Sequence, residues 1–276
     1  MIDSIQDWTL ALANGAFDLA LALLIARLLA RDVLPGGKPW RSLTFAALAL
    51  MAALVAGTAV VADDSLSWGA NLQLMLTATH GGAMLQLAAL GLVLVALGSL
   101  RTRSGPALAW IGALLMLAAR AAIGHGADLP LLSAAFGIHI IHLAAASVWV
   151  GTVLAAAGAD RVPTPLEARR LSQQATMAFA ALALSGAGNL QRMNSAFAVL
   201  SGWSAYNGWL LVKLVCATTA AFLGLYNRHR HLAPLCAGDA NAAAAFRRVL
   251  RIEAVVLGLL IFAAARLGST YPGVAP

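Results

Sequence analysis

The chain has 276 residues, of which 61% are hydrophobic and only 11% are charged, and its mean hydropathy is +0.82. Soluble domains carry about 25% charged residues, so this composition excludes a water-soluble globular protein. The net charge is +7, but no basic cluster is interleaved with exposed aromatic residues, which argues against nucleic-acid binding. Cys216 and Cys236 have no metal-binding spacing, so neither a zinc site nor a disulfide framework is indicated.

Eight apolar segments are long enough to cross a bilayer, because a helical span needs about 20 apolar residues. They show no alternation of period two, so the sequence predicts an all-α polytopic membrane helix bundle. No soluble domain fits between the spans, and residues 1–276 are therefore expected to form a single transmembrane domain. The predicted spans are 9–30, 43–62, 72–100, 106–123, 131–157, 171–190, 207–227 and 249–267.

The distribution of charge predicts the orientation of the bundle. Alternate connections hold 14 of the 18 basic residues, and short basic loops are retained in the cytoplasm. The opposite connections are acidic, with Asp3, Asp7, Asp63, Asp64 and Asp128. We therefore expect a bacterial inner-membrane protein with both termini in the periplasm. The first segment lacks a positive n-region and a cleavage site, so it is expected to be retained as a helix.

The histidines are the most informative polar residues, because an ionisable group inside a membrane needs a partner or a function. Four of the six lie in the outer halves or outer mouths of spans three to five, namely His80, His125, His139 and His142. With a rise of about 1.5 Å per residue, His139 and His142 lie about 12 and 16 Å inside span five and share a helix face. His80 is expected about 12 Å inside span three, with Met84 one turn further on.

These side chains favour copper, because imidazole and thioether ligands together suit this metal and methionine selects Cu(I). The sequence therefore predicts an outward-facing His/Met site for Cu(I) or Cu(II). Structural interpretations compete with it, since a lone intramembrane histidine often hydrogen-bonds another helix and methionine commonly fills core gaps. His229 and His231 lie in a basic connection and are interpreted as solvated loop residues.

Fixed charges form a second group inside the predicted membrane region. Asp18 lies about 13 Å inside span one and Lys213 about 9 Å inside span seven from the same side, which predicts that they pair. Arg120 lies about one turn before His125. We interpret these charges as supporting the bundle architecture, although a carboxylate beside a histidine cluster would also suit a proton or metal carrier.

Two further charges lie near span ends. Glu253, near the cytoplasmic start of span eight, is expected to pair with Arg169 or Arg170. Arg266 lies near an outer end, where its side chain is expected to snorkel to the interface.

The second half of the chain carries several short motifs. Residues 124–127 read GHGA, and residues 139–151 read HIIHLAAASVWVG. Further on stand RLS at 170–172, SGAGN at 185–189, LLVK at 210–213, Asn227-Arg228, Pro234 and Glu253. Together these motifs resemble the copper resistance protein D (CopD/PcoD) family of bacterial inner-membrane proteins. The resemblance covers residues 120–272, over half of the chain.

The resemblance implies about eight helices, a periplasm-facing copper site and a role in copper homeostasis, with copper moving from the periplasm to the cytoplasm. It carries six residues into supporting or binding roles: His125, His142, Trp149, Asn189, Lys213 and Glu253. His80, Met84 and His139 rest on their depth alone. The chain has no Met-rich or His-rich periplasmic extension, so a separate periplasmic copper chaperone is expected to deliver the ion.

The alternative function is a b-type haem oxidoreductase, in which His80 pairs with His139 or His142 as axial ligands. A structural assembly partner without a ligand is a third hypothesis. The sequence has no P-loop and no phosphorylated-aspartate motif, so primary active transport is not expected. We therefore expect a copper-transporting protein that is not an enzyme.

Overall fold

The computed structural model describes residues 5–29, 39–100, 104–123, 129–130, 133–192 and 204–270. Within these ranges the regular structure is entirely helical, so the predicted all-α fold is confirmed. The helices are α1 (Ile5–Leu29), α2 (Pro39–Val61), α3 (Trp68–Ala78), α4 (His80–Gly98), α5 (Gly105–Ala121), α6 (Ala134–Ala157), α7 (Pro165–Arg192), α8 (Ala205–Arg230), α9 (Leu232–Cys236) and α10 (Ala240–Ser269).

Five of the described helices are long and apolar enough to cross a membrane, namely α1, α2, α4, α6 and α8. α5 is a shorter apolar helix that coincides with predicted span four. α7 and α10 coincide with predicted spans six and eight and have 28 and 30 residues. The chain is thus a multi-pass membrane protein, whereas the count of eight spans and the orientation of the termini stay predictions.

Predicted span 72–100 is not one helix but two, α3 and α4, which are separated at Thr79. The Thr79 hydroxyl accepts a hydrogen bond from the Gly82 amide at 2.9 Å and donates one to the Met75 carbonyl at 2.6 Å. A Cβ at Gly82 would overlap that carbonyl, so glycine lets α4 start directly against α3. His80 is consequently the exposed first residue of α4. Its depth of about 12 Å was counted along one continuous helix from residue 72 and stays a prediction.

α1 occupies the centre of the bundle and packs against α2, α5, α6 and α10. Its Phe17, Leu21 and Leu24 are at most 1% exposed. A first apolar core is built mainly from α1, α2, α4 and α5, and a second from α6, α7, α8 and α10. α1 and α6 contribute side chains to both cores, so these two helices join the halves of the bundle.

α4 and α5 approach closely because Gly91 and Gly112 face each other. A Cβ on either glycine would overlap the backbone carbonyl of the other. Small residues allow such close helix packing in membranes, where apolar burial alone gives helices little reason to associate.

Large apolar side chains point outward over much of the bundle. Met177 and Leu184 of α7 are 73% and 77% exposed, and Phe222 of α8 is 68% exposed. Removing such a side chain from water stabilises a protein by about 1.5–3 kcal/mol, so these surfaces would be unfavourable in water. Their exposure is consistent with contact to lipid acyl chains.

The start of α7 is fixed by a capping box. The Glu167 amide donates to Thr164 Oγ1 at 3.4 Å, and the Thr164 amide donates to Glu167 Oε2 at 2.7 Å. Arg161 donates two further bonds to the same carboxylate, at 2.7 and 2.6 Å. These contacts, Arg161 first, lower the pKa of Glu167 to about 2.

Hydrogen bonds hold the helix ends together on the same side of the bundle. Arg247 at the start of α10 donates to the Ala159 carbonyl after α6 at 2.5 Å. Arg228 near the end of α8 donates to Thr176 of α7 at 2.9 Å. We call this side, where α6 and α8 end and α7 and α10 begin, the basic end. The opposite side, where α6 and α8 begin, is called the histidine end.

Candidate functional site

His142 of α6 is held by the small-residue segment of α7. Its Nδ1 lies 3.2 Å from Ser185 Oγ, and this hydroxyl donates its own hydrogen to the Ala181 carbonyl at 2.7 Å. Because the hydroxyl hydrogen is already used, the contact assigns the imidazole proton to Nδ1. The Nε2 lone pair is then available, and the serine orients the ring as an outer partner orients a metal ligand.

Gly186 provides the space for this ring. A Cβ at Gly186 would lie 3.3 Å from His142 Cε1, closer than most such contacts. Ser185 and Gly186 therefore fix the position of His142 from adjacent positions on α7.

His139 and His142 are brought together as predicted. They lie three residues apart on α6, and their charges interact. Both rings are partly buried in the histidine-end half of the helix. Two neighbouring imidazoles can supply two ligands to a metal ion such as copper.

Asp18 forms its ion pair with Arg120, not with Lys213 as predicted. Arg120 Nε lies 2.7 Å from Asp18 Oδ1, and Arg120 Nη2 donates to Oδ2 at 2.8 Å. Both side chains are about 15% exposed or less. Arg120 is the better partner because its planar guanidinium can donate to both carboxylate oxygens, whereas the ammonium of a lysine is a point charge.

Lys213 nevertheless belongs to the same group of charges. It lies close enough to Asp18 and to His142 for their charges to interact. We call Asp18, Arg120, His139, His142, Ser185 and Lys213 the outer polar cluster. It combines three helices of the second core with α1 and α5, and it contains two basic side chains but one carboxylate.

The other predicted ligands lie elsewhere or are not described. His80 Nε2 lies 2.8 Å from the Ala122 carbonyl and thus donates to the end of α5. Met84 packs against a small apolar group that contains Ala121, Ala122 and Phe136. His125 falls outside the described residues. Among the residues that the structure describes, no group of three or more His, Cys, Asp or Glu side chains could hold a metal ion. The full His/Met ligand set therefore stays a prediction.

Glu253 pairs differently from the expectation. It is 3% exposed and forms a hydrogen bond with the Trp149 indole, while Arg169 and Arg170 are exposed near the start of α7. Since an indole N–H can only donate, the carboxylate is the acceptor. The predicted pair with either arginine is wrong because Glu253 faces the interior between α6 and α8.

Asn189 near the end of α7 has a buried Oδ1 atom without a hydrogen-bond partner. Buried amide oxygens are normally bonded, so this atom is a candidate contact for a ligand or a water molecule. Its supporting role stays a prediction.

Sequence reasoning missed the position of Arg266. The side chain is 1% exposed, and its guanidinium carbon lies 3.9 Å from the centre of the Trp8 ring and 5.9 Å from that of Trp209. It is buried against aromatic faces rather than snorkelling, because a guanidinium is weakly hydrated and binds the electron-rich face of an indole. The sequence signal for this contact was the presence of Trp8 and Trp209 near the starts of α1 and α8.

Residues 165–267 match the family model of copper resistance protein D (CopD). The predicted resemblance is therefore confirmed over this segment, which runs from α7 into α10. No curated protein and no solved structure matches the chain. The matched segment contains Ser185, Gly186, Asn189, Lys213 and Glu253, whereas α6 with His139, His142 and Trp149 precedes it.

Proposed function

We propose that this protein is a copper transporter of the bacterial inner membrane that moves copper from the periplasm to the cytoplasm and is not an enzyme. The carrying observation is the match of residues 165–267 to the copper resistance protein D family. That segment supplies Ser185, Gly186 and Lys213, the groups that surround His142. The matched segment thus packs directly against the His142 imidazole.

In this proposal His139 and His142 bind the copper ion during its passage. The Ser185 contact leaves Nε2 of His142 as the metal-binding atom. His80, Met84 and His125 are proposed as further ligands of the same outward-facing site. A soft ligand such as Met84 would favour Cu(I), whereas imidazoles accept either oxidation state.

The fixed charges tune the affinity of this site. Arg120 neutralises Asp18, so the remaining ammonium of Lys213 opposes a metal cation at His142. A transported ion must also leave its site, and a nearby positive charge limits how tightly the imidazoles retain it.

The orientation in the membrane follows from the basic end. Its arginines belong to the connections that hold 14 of the 18 basic residues, which supports a cytoplasmic location for this end and a periplasmic location for both termini. The histidine end then faces the periplasm, where a copper chaperone would deliver the ion.

The test is elemental analysis with an absorption spectrum of the detergent-purified protein. We expect stoichiometric copper in the wild type and its loss in His139→Ala/His142→Ala. The matched control is His229→Ala/His231→Ala, which removes two histidines at the basic end and should retain copper. Equal copper content in all three proteins would refute this site. A Soret band with bound iron would replace copper transport by the bis-histidine haem hypothesis.

A further inference from the structure

A second polar region lies around a cavity near the basic end. The cavity has a volume of about 320 Å³ and lies between α6, α7, α8 and α10. Most of its lining is apolar, and it includes the buried side chains of Phe246 and Leu250. Phe222, which is 68% exposed, also lines the cavity, so the cavity reaches the outer surface of the bundle there. The polar lining includes a carboxylate, an amide, a guanidinium and four hydroxyl groups, from Glu253, Asn227, Arg228, Thr152, Ser172, Thr176 and Thr218.

Glu253 is the acidic group of this lining and is 3% exposed. The Trp149 indole donates one hydrogen bond to it. A Cβ at Gly224 would lie 3.1 Å from Glu253 Oε1, so the glycine leaves room for the carboxylate beside α8. A carboxylate has about four acceptor positions, and one indole hydrogen leaves most of them available toward the cavity.

Asn227 lines the same cavity with an acceptor that lacks a donor. The residue is 3% exposed, and its Nδ2 donates to the Phe246 carbonyl at 3.1 Å. That bond fixes the orientation of the amide, and Oδ1 is buried without a hydrogen-bond partner. Buried acceptors are rarely left in this state, so this oxygen is a candidate contact for a cation, a protonated group or a water molecule in the cavity.

The donor set selects the kind of cation. Among the described residues that line the cavity there is no histidine, cysteine or methionine. Carboxylate, amide and hydroxyl oxygens suit hard cations, whereas copper is favoured by imidazole and sulfur ligands. The cavity therefore differs in chemistry from the outer polar cluster.

The charged neighbours of Glu253 are few. Arg228 of α8 lines the cavity, but its guanidinium donates to Thr176 of α7 at 2.9 Å, where both side chains reach the surface. Arg27 of α1 and Arg247 and Arg251 of α10 belong to the basic end outside the lining. α6 contributes Trp149 and Thr152, and α7 contributes hydroxyl and apolar groups. An intramembrane carboxylate that faces a cavity in this way is typical of an ion or proton pathway.

We propose that Glu253 and Asn227 form a binding site for a small hard cation, a proton or a sodium ion, inside the bundle near the basic end. The cation is held by carboxylate and amide oxygens and exchanges with the basic-end solution past Arg228 and Thr176. No covalent step is involved. The site does not depend on the proposed copper site, because the two share no ligand.

The test is infrared difference spectroscopy of the full-length purified protein without copper. In the proton arm, the pH is changed and the band of a buried protonated carboxyl group is followed. In the sodium arm, sodium chloride is compared with choline chloride at fixed pH. A response to either change that is present in the wild type and absent in Glu253→Gln supports the proposal, and the arm that responds identifies the ion.

Three further variants make the result specific. Asn227→Leu removes the amide oxygen and should raise the ion concentration at the midpoint of the response by about tenfold. The loss of one hydrogen bond or contact to a charged group weakens binding by about this factor. Glu167→Gln removes a carboxylate at the start of α7 and should leave the response unchanged. His139→Ala/His142→Ala should also retain it, so failure of the copper proposal stays distinguishable.

A wild-type protein with neither a pH-dependent nor a sodium-dependent signal from Glu253 would overturn the proposal. The same conclusion would follow if Glu253→Gln kept the wild-type response. Because loss of the carboxylate could unfold the bundle, helix content and thermal midpoint are measured in parallel by circular dichroism. An unchanged midpoint of the response in a folded Asn227→Leu would overturn the assignment of the amide oxygen as a ligand.

Discussion

The two buried polar regions of the bundle present different donors. At the histidine end, two imidazoles lie beside an ammonium and an ion pair that joins α1 to α5. Near the basic end, a carboxylate and an amide oxygen face a cavity between α6, α7, α8 and α10. Imidazole nitrogens at one region and carboxylate and amide oxygens at the other suit different ions. The same four-helix half therefore contains two chemically different groups of polar side chains.

The two ends of the bundle also differ in how their positive charges are held. Arg120 is 14% exposed beside a single carboxylate, whereas Arg161 at the basic end is 45% exposed and bonds the largely buried carboxylate of Glu167. A buried ion pair costs much more to break than an exposed one, because the remaining charge cannot be solvated. The comparison predicts an ordered series of effects.

The largest effect is expected for the buried pair. Arg120→Met leaves Asp18 as an uncompensated charge and should reduce the free energy of unfolding by about 3 kcal/mol. Arg161→Met at the basic end should cost less than about 1 kcal/mol. Both losses can be measured by denaturant titration in the same detergent. Asp18→Leu/Arg120→Met should recover much of the stability, because both charges are removed. Equal losses in the two single variants would contradict the difference between the ends.

This ion pair also marks the limit of prediction from sequence. The helices were predictable because long apolar runs define spans by length alone, and His139 and His142 share a face by spacing alone. The pairing of side chains on different helices was not predictable, because both Lys213 and Arg120 lie at depths from which they could reach Asp18. The break at Thr79 was hidden in a continuous apolar run, where a threonine cap and two glycines gave the only signal.

A smaller effect is expected from crowding His142. Gly186→Ala would place a methyl group 3.3 Å from Cε1, so the ring must shift against its Ser185 contact. Misplaced imidazoles should weaken copper binding by about tenfold in Kd, which corresponds to about 1.4 kcal/mol. Copper titration of the purified variants would measure this change.

Gly188→Ala is the matched control for that substitution. Its Cβ would meet an ordinary contact with Ile138 at 3.4 Å and lies one half-turn away on the same helix. Its copper affinity should equal that of the wild type. If both alanine variants bound copper with wild-type affinity, copper binding would not depend on the position of the His142 ring, and the prediction would be contradicted.

The smallest effect concerns pH at the basic end. Arg161 and Thr164 lower the pKa of Glu167 from 4.5 to about 2, so the folded state favours the charged carboxylate. The stability gained is present in full above about pH 4.5 and is lost as the pH falls toward 2. In Glu167→Gln the free energy of unfolding should depend less on pH in this range. The difference from the wild type should be less than about 1 kcal/mol, because Arg161 is exposed to solvent. Thermal melting between pH 2 and 6 would reveal it. A variant with the wild-type pH dependence would show that other carboxylates govern acid stability, since a glutamine side chain cannot titrate.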